Sequence, residues 1–334
     1  MWYSKRFLKT LARGMALPVA VLLAGCAGDD DTIVFRLGHG LNTEHPVHRG
    51  MEKLAEELEA RTGGEVRIRV FPNEQLGTER ECLELVQQGS LSMAKVSSAV
   101  FESFQEDYKV YGLPFLFDDG EHMWEVLNGE IGREILESGR ERNLLGLCYY
   151  DAGARSFYTR RHPIRSPEDL EGLNIRVQQS PMSIQMIRAL GGSPTPVSWG
   201  ELYSALQQGV VDGAENNPPS YHTANHYRVA PYYSLNEHLR LPDVLVIQPG
   251  LFDGLSAEHR QAFREALDIS VEYQRELWGE AERKALEVAR EAGVEVIEFD
   301  DLSPFQEKVQ ELWEEFEGTV VGDLAARIRE LRDE

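Results

Sequence analysis

Hydrophobic and polar residues alternate along this chain in two rhythms, one of strands and one of helices. Ile33-Val34-Phe35-Arg36-Leu37 is an apolar run of strand length. From Pro46, the residues Met51, Leu54, Ala55 and Leu58 recur at helical spacing, and Gly63-Gly64 closes the pattern. Val66, Ile68 and Val70 then alternate with Arg67 and Arg69, so that strand, helix and strand predict a parallel pair. Further on, helices are predicted near residues 123–127 and 131–136, a strand over 144–150, and a crossover at Gly153-Ala154-Arg155. Ser166-Pro167-Glu168-Asp169 caps a short helix, and Ile175 and Val177 mark a short strand around Arg176. Ser180-Pro181 then supplies an N-cap and a first-turn proline for a helix that buries Ile184, Ile187 and Leu190. Residues 241–248 read as an apolar strand. Ser256 caps a periodic helix reaching Ala292, about 55 Å long at 1.5 Å per residue, and a last helix over 303–316 packs behind.

One design occurs twice. Thr78-Glu79-Arg80-Glu81 opens a helix that ends at Gln87-Gln88-Gly89, before a strand over 90–94. Ser198-Trp199-Gly200-Glu201 opens another that ends at Gln207-Gln208-Gly209, before a strand over 210–214. Both read as capping boxes. The repeat implies an α/β fold of two similar lobes with a cleft between them, and the long helix is too long for one lobe and braces both. Residues 32–153 are assigned to lobe I, completed by about 242–275, and 154–241 to lobe II, completed by about 276–334.

Composition changes this picture mainly at the N-terminus. The chain has 334 residues, 42% of them hydrophobic, and a mean hydropathy of −0.38, as expected of a globular protein. Lys5, Arg6, Lys9 and Arg13 precede an apolar run that ends in Leu23-Ala24-Gly25-Cys26, which reads as a lipoprotein signal peptide over 1–25 with lipidation at Cys26 and a tether over 26–31. The apolar run is too short to cross a bilayer core of about 30 Å. Removing 1–25 leaves 30 basic against 56 acidic side chains, a balance of −26 that argues against nucleic acid as a partner. Apart from Cys26, Cys82 and Cys148 read as two buried thiols, with no metal knot or disulfide framework.

The candidate chemistry centres on Arg176. It lies near the carboxyl end of a strand, where open α/β sheets collect ligands, and a guanidinium offers a carboxylate two parallel hydrogen bonds. The flanking Asn174, Gln178 and Gln179 carry no charge, so Arg176 has no local ion-pair partner. Gly38-His39-Gly40 is not a dinucleotide turn, because Thr43 stands where a third glycine is required. His39, His45 and His48 lack the companion ligands of a metal site.

Five stretches carry a family resemblance across essentially the whole mature chain: His45-Pro46, Phe71-Pro72-Asn73-Glu74-Gln75-Leu76-Gly77, Leu113-Pro114-Phe115, Gly172-Leu173-Asn174-Ile175-Arg176-Val177 and Val211-Asp212-Gly213-Ala214-Glu215-Asn216. The chain resembles the extracytoplasmic solute-binding component of TRAP transporters, the tripartite ATP-independent carriers of the dicarboxylate-binding type. The resemblance implies crossing strands, ligand-induced closure, no cofactor, and delivery to the small and large TRAP membrane subunits from the periplasm, where Cys26 would anchor the protein. It implies that Arg176 grips the substrate carboxylate with help from Arg155, and that Asn216, Gln179, Trp199 and Ser97, with Ser98 beside it, line the cleft. His45, before the proline of a helix over the cleft, is a further ligand candidate.

Each residue has a competing reading. Arg155 belongs to a chain rich in arginine, Asn216 precedes Asn217-Pro218-Pro219 and suits a turn, and a large aromatic such as Trp199 suits a core. The neutral amides and serines around Arg176 match hydroxyls rather than a second charge. By resemblance they point to a hexuronate such as glucuronate or galacturonate, with C4-dicarboxylates and keto acids as rivals and a sensor as an alternative recipient. An enzyme is the competing class, but no G-x-S-x-G elbow, phosphate loop or HExxH occurs.

Overall fold

The computed structural model describes residues 32–331, so the expected signal peptide over 1–25, the expected tether over 26–31 and the expected lipidation at Cys26 lie outside the described residues. The first four strands are β1 (Ile33–Gly38), β2 (Val66–Phe71), β3 (Met93–Ser97) and β4 (Leu145–Tyr150). After the crossover come β5 (Arg155–Thr159), β6 (Asn174–Val177), β7 (Ser193–Pro196), β8 (Gly213–Asn216) and β9 (Tyr232–Leu239), and then β10 (Asp243–Ile247) and β11 (Glu295–Ile297). They form two mixed sheets, a first with the order β2-β1-β3-β10-β4 and a second with the order β11-β9-β5-β8-β6-β7. The chain therefore passes between the sheets after β4, after β9 and after β10. β1 pairs in parallel with β2, as the strand-helix-strand pattern predicts, whereas β10 runs antiparallel between β3 and β4.

Helices α1 (Pro46–Arg61), α2 (Glu79–Gln87), α3 (Ser98–Phe101), α4 (Gly120–Asn128) and α5 (Glu130–Ser138) belong to the first part of the chain. α6 (Pro181–Ala189), α7 (Trp199–Gln208) and α8 (Pro218–Thr223) follow the strands of the second sheet, and α9 (Pro249–Asp253) leads into α10 (Ala257–Glu291). The 35-residue α10 packs on α1 and β4 and, farther along, on α8, so it braces both sheets. Its Phe263, Ala266 and Leu267 join a core with Met51, Leu54 and Leu58 of α1, while Ala289 joins Tyr158, Leu206 and Tyr233 around the second sheet. Each fully buried Leu, Met or Phe contributes about 1.5–3 kcal/mol over its exposed state. A third, larger core runs continuously from Cys82 and Tyr108 to Ile175 and Met186.

The structure corrects several sequence-based expectations. Thr78 forms its capping box with Glu81, but Ser198 does not form one: its hydroxyl donates to Glu201 Oε2 at 2.6 Å instead of accepting a backbone N–H. Both repeat strands begin three residues late, since tight turns after Gly89 and Gly209 consume the intervening residues. Ile184 is only half-buried, and Met182, Met186 and Ile187 form the buried face of α6. The expected last helix is broken into α11 (Ser303–Lys308) and α12 (Gln310–Glu314), and a further α13 (Val320–Glu330) follows. α12 lies on α6, whereas α13 lies on α5 and on the 3-10 turn Glu106–Gly112, so the C-terminal segment meets elements of both sheets instead of completing the second lobe alone. Cys82 is buried as expected, but Cys148 is half-buried, and the two are unpaired.

Candidate functional site

The C-terminal ends of β3, β6 and β8 converge with the start of β10 and the N-termini of α2, α7 and α8 around a cavity. Arg176 reaches this cavity from the middle of β6, where it pairs with Ala214 of β8 on one side and Thr195 of β7 on the other. Its Nε donates to the Val197 carbonyl at 2.9 Å, which fixes the plane of the guanidinium. Nη1 is buried without a hydrogen-bond partner, and Arg176 forms no ion pair among the described residues. Burial, the largest influence, lowers its pKa below the ordinary arginine value. A guanidinium that is 3% exposed and uncompensated is costly, and the cavity it faces is where an anion would relieve it.

Arg155 lines the same cavity but in a different state. Nε and Nη2 donate to the two carboxylate oxygens of buried Glu215, Nη2 also donates to the Glu215 carbonyl at 2.8 Å, and Nη1 donates to Asn216 Oδ1 at 2.8 Å. Four of its five N–H groups are thus engaged, its charge is matched, and one Nη1 hydrogen is left over. Asn216 is pinned by this contact and by its own Oδ1, which accepts the Asn217 N–H. The turn reading of Asn217 also holds: its side chain accepts the Ser220 N–H and caps α8, while its amide donates to the Ala152 carbonyl.

Ser97, Gln178, Gln179 and Trp199 also lie on the wall. Ser97 Oγ donates to Gln178 Oε1 at 3.4 Å, so a residue of the first sheet touches one of the second. Gln179 is half-buried with no side-chain hydrogen bond among the described residues, and its amide is available. Trp199 stands at the first position of α7 with its ring 5.2 Å from that of His226. The structure leaves three expected residues off the wall. His45 is one layer behind it, capping α1 and meeting Ser220 Oγ at 3.1 Å, and burial lowers its pKa to about 3. Ser98 is buried in α3, and Asn174 sits at the exposed outer end of β6, one strand repeat before Arg176.

Sequence reasoning missed five charged wall residues: Glu74, Glu79, Arg80, Lys95 and Asp243. Glu74 has φ +56°, uncommon for a side chain of its size, and its carboxylate accepts the Gly200 N–H across the cavity at 3.2 Å. Lys95 is fully buried between Glu79 and Asp243, 2.8 and 3.2 Å from their oxygens. Strand alternation alone signals Lys95, a lone charge in Met93-Ala94-Lys95-Val96, but its partners lie 16 and 148 residues away. No group of three or more potential metal ligands occurs among the described residues.

Comparison with known proteins follows the same geometry. The family model for bacterial extracellular solute-binding proteins, family 7, matches residues 37–319. A solute-binding protein of Chromohalobacter salexigens is 38% identical over 81% of this chain and 81% of its own length. The TRAP periplasmic solute-binding protein of Xanthobacter autotrophicus, solved with bound β-D-galacturonate, superposes with a TM-score of 0.85 at 41% identity, covering 88% of this chain and 98% of that one. The corresponding protein of Anaerococcus prevotii, with bound α/β D-glucuronate, gives a TM-score of 0.88 at 38% identity over 90% and 99%.

Proposed function

The chain belongs to the family 7 extracellular solute-binding proteins, the receptors of TRAP transporters, and from that premise we propose that it captures a hexuronate such as glucuronate or galacturonate for delivery to TRAP membrane subunits. The observation that carries this reading is the buried Arg176 guanidinium, uncompensated and facing a cavity walled by amides and hydroxyls. A ligand carboxylate supplies the missing charge and the acceptors for Nη1 and Nη2. The leftover Arg155 hydrogen, the Gln178 and Gln179 amides, Asn216 and Ser97 meet ring oxygens and hydroxyls, and Trp199 offers its face to the sugar's C–H side. The solved neighbours with bound galacturonate and glucuronate support the choice of acid.

Function here is capture without a catalytic step. The two halves close over the acid through contacts such as Glu74 to Gly200, and the closed form docks on the membrane subunits. Two lobes divided near 153 and 241 suit that motion. The periplasm suits the family, and lipid attachment at Cys26 rests on the leader sequence; a fatty-acid label lost in Cys26→Ser tests it.

A thermal-shift screen against sugar acids, C4-dicarboxylates, keto acids and neutral hexoses tests the whole reading. A ligand at 100 times its Kd stabilises by about 2.7 kcal/mol. Hexuronates should raise Tm in the wild type and leave Arg176→Ala unmoved. A shift with succinate or malate but not with uronates overturns the choice of ligand.

A further inference from the structure

We propose that the buried Lys95–Glu79–Asp243 cluster is the hydroxyl-reading pole of the cavity, and that it selects a polyhydroxy monocarboxylate against the matching dicarboxylate. This rests on the carboxylate-capture reading of Arg176 and adds what the other wall does.

The cluster belongs to the first sheet, whereas Arg176 belongs to the second. β3 and β10 are antiparallel neighbours with Asp243 opposite Ser97 and Leu245 opposite Lys95, so Lys95, Ser97 and Asp243 share one face, and all three line the cavity together with Glu79. Lys95 Nζ donates to Glu79 Oε1 at 2.8 Å and to Asp243 Oδ2 at 3.2 Å. Glu79 Oε2 accepts the Ser97 N–H at 3.2 Å, and Asp243 Oδ1 carries no hydrogen bond among the described residues.

Two carboxylates surround one ammonium, so this cluster carries one excess formal negative charge in a place largely withdrawn from water, with Lys95 only 2% exposed, while the neighbouring wall cation Arg80 is paired with Glu84 at 3.1 Å. Stability does not explain such a cluster, since well-packed apolar residues generally serve a core as well or better. Ligand chemistry does. The remaining acceptor capacity of Glu79 and Asp243 suits hydroxyl donors, which make short charge-assisted bonds to carboxylates, and the third Lys95 hydrogen suits a hydroxyl oxygen. A second ligand carboxylate at this pole faces like charge instead, with little water to screen it. The cavity is therefore polar in sign: an unpaired cation on the second sheet takes the acid end, and an anionic cluster on the first takes the hydroxyl end.

Galactonate and galactarate isolate this effect, because they are open chains that differ only in whether the far carbon is CH₂OH or a carboxylate. Calorimetric titration of the wild type should give galactonate at least about tenfold tighter than galactarate, a difference of about 1.4 kcal/mol. Glu79→Gln and Asp243→Asn keep the shape, remove one negative charge each, and should narrow that ratio while weakening glucuronate about tenfold. Ligand-free Tm identifies any variant that fails to fold, and the two substitutions serve as independent routes to the same result. If both folded variants keep the wild-type ratio, or if wild type takes galactarate as tightly as galactonate, the selectivity pole is refuted while glucuronate binding that needs Arg176 still stands. If wild type binds no sugar acid at all, the carboxylate-capture reading fails with it.

Discussion

Arg155 and Arg176 are both buried arginines on the same wall, yet they are opposite in energetic character. Arg155 is matched by Glu215 in a paired network, and its removal leaves a buried carboxylate alone, which costs about 3–5 kcal/mol. Arg176 is an uncompensated charge whose removal relieves the apo protein at the expense of one bond to Val197 worth about 1 kcal/mol. Arg155→Met should therefore lower ligand-free stability by several kcal/mol, and Arg176→Met should leave it unchanged or raise it while abolishing hexuronate binding. Urea titration of both variants without ligand checks this, and a large loss in Arg176→Met would contradict it. The sequence made Arg176 legible because the strand pattern, the neutral neighbours and the helix cap lie within a few residues of it. It could not reveal the pairing of Arg155 with Glu215, 60 residues away, or the pairing of Lys95 with Asp243, because such partners meet only through sheet topology.

Among the elements, α6 carries a contact that links the two halves away from the cavity. Glu102, the residue after α3, accepts the Ser180 hydroxyl at 2.8 Å and the Met182 N–H at 2.9 Å through one oxygen, while its other oxygen is buried without a partner. Burial, the dominant influence, pushes its carboxyl pKa up to about 7 despite those donors. The folded protein thus holds this proton more tightly than the unfolded chain does. The associated stability is fully present below the ordinary glutamate pKa of about 4.3 and is lost as pH rises through 7, by up to about 3 kcal/mol. The Glu102 contribution should appear as a fall in urea midpoint between pH 5 and pH 8 that Glu102→Gln removes; equal slopes in the two proteins would show that Glu102 stays ionised. Neither this link nor α13 was legible, for related reasons. The Glu102 contact is made 80 residues apart, and the apolar positions of α13, Val321, Leu324, Ala325 and Ile328, find their partner surface on α5 and on the turn Glu106–Gly112, far away in sequence. The repeated helices and α10, by contrast, are written in local periodicity, although the two repeat strands start three residues later than expected and Ser198 forms no capping box.

On the scale of the whole molecule, the three passages between sheets matter more than the division into two. The largest core unites Val96 and Tyr108 of the first half with Ile175 and Met186 of the second, and α10 packs on elements of both. Gly153 at the first passage has φ +55°, and a Cβ there would come within 2.9 Å of Trp278 Nε1 on α10, so the crossover is pressed against the brace. Urea unfolding should accordingly be a single cooperative transition, followed identically by tryptophan fluorescence and circular dichroism; two separated transitions would mean that the halves are independent folding units. The position of β10 has a consequence in time. It separates β3 from β4 in the first sheet, yet it lies at residues 243–247, so as the chain emerges from the ribosome nearly a hundred residues intervene between the end of β4 and the strand that joins it to its sheet. Until then β3 and β4 present unpaired edges, which makes assembly slow and leaves the nascent chain prone to sticking to its neighbours. The same delay keeps the polypeptide loose and threadable through most of its synthesis, so that the sheet which holds Lys95 closes only when about three-quarters of the chain has been made.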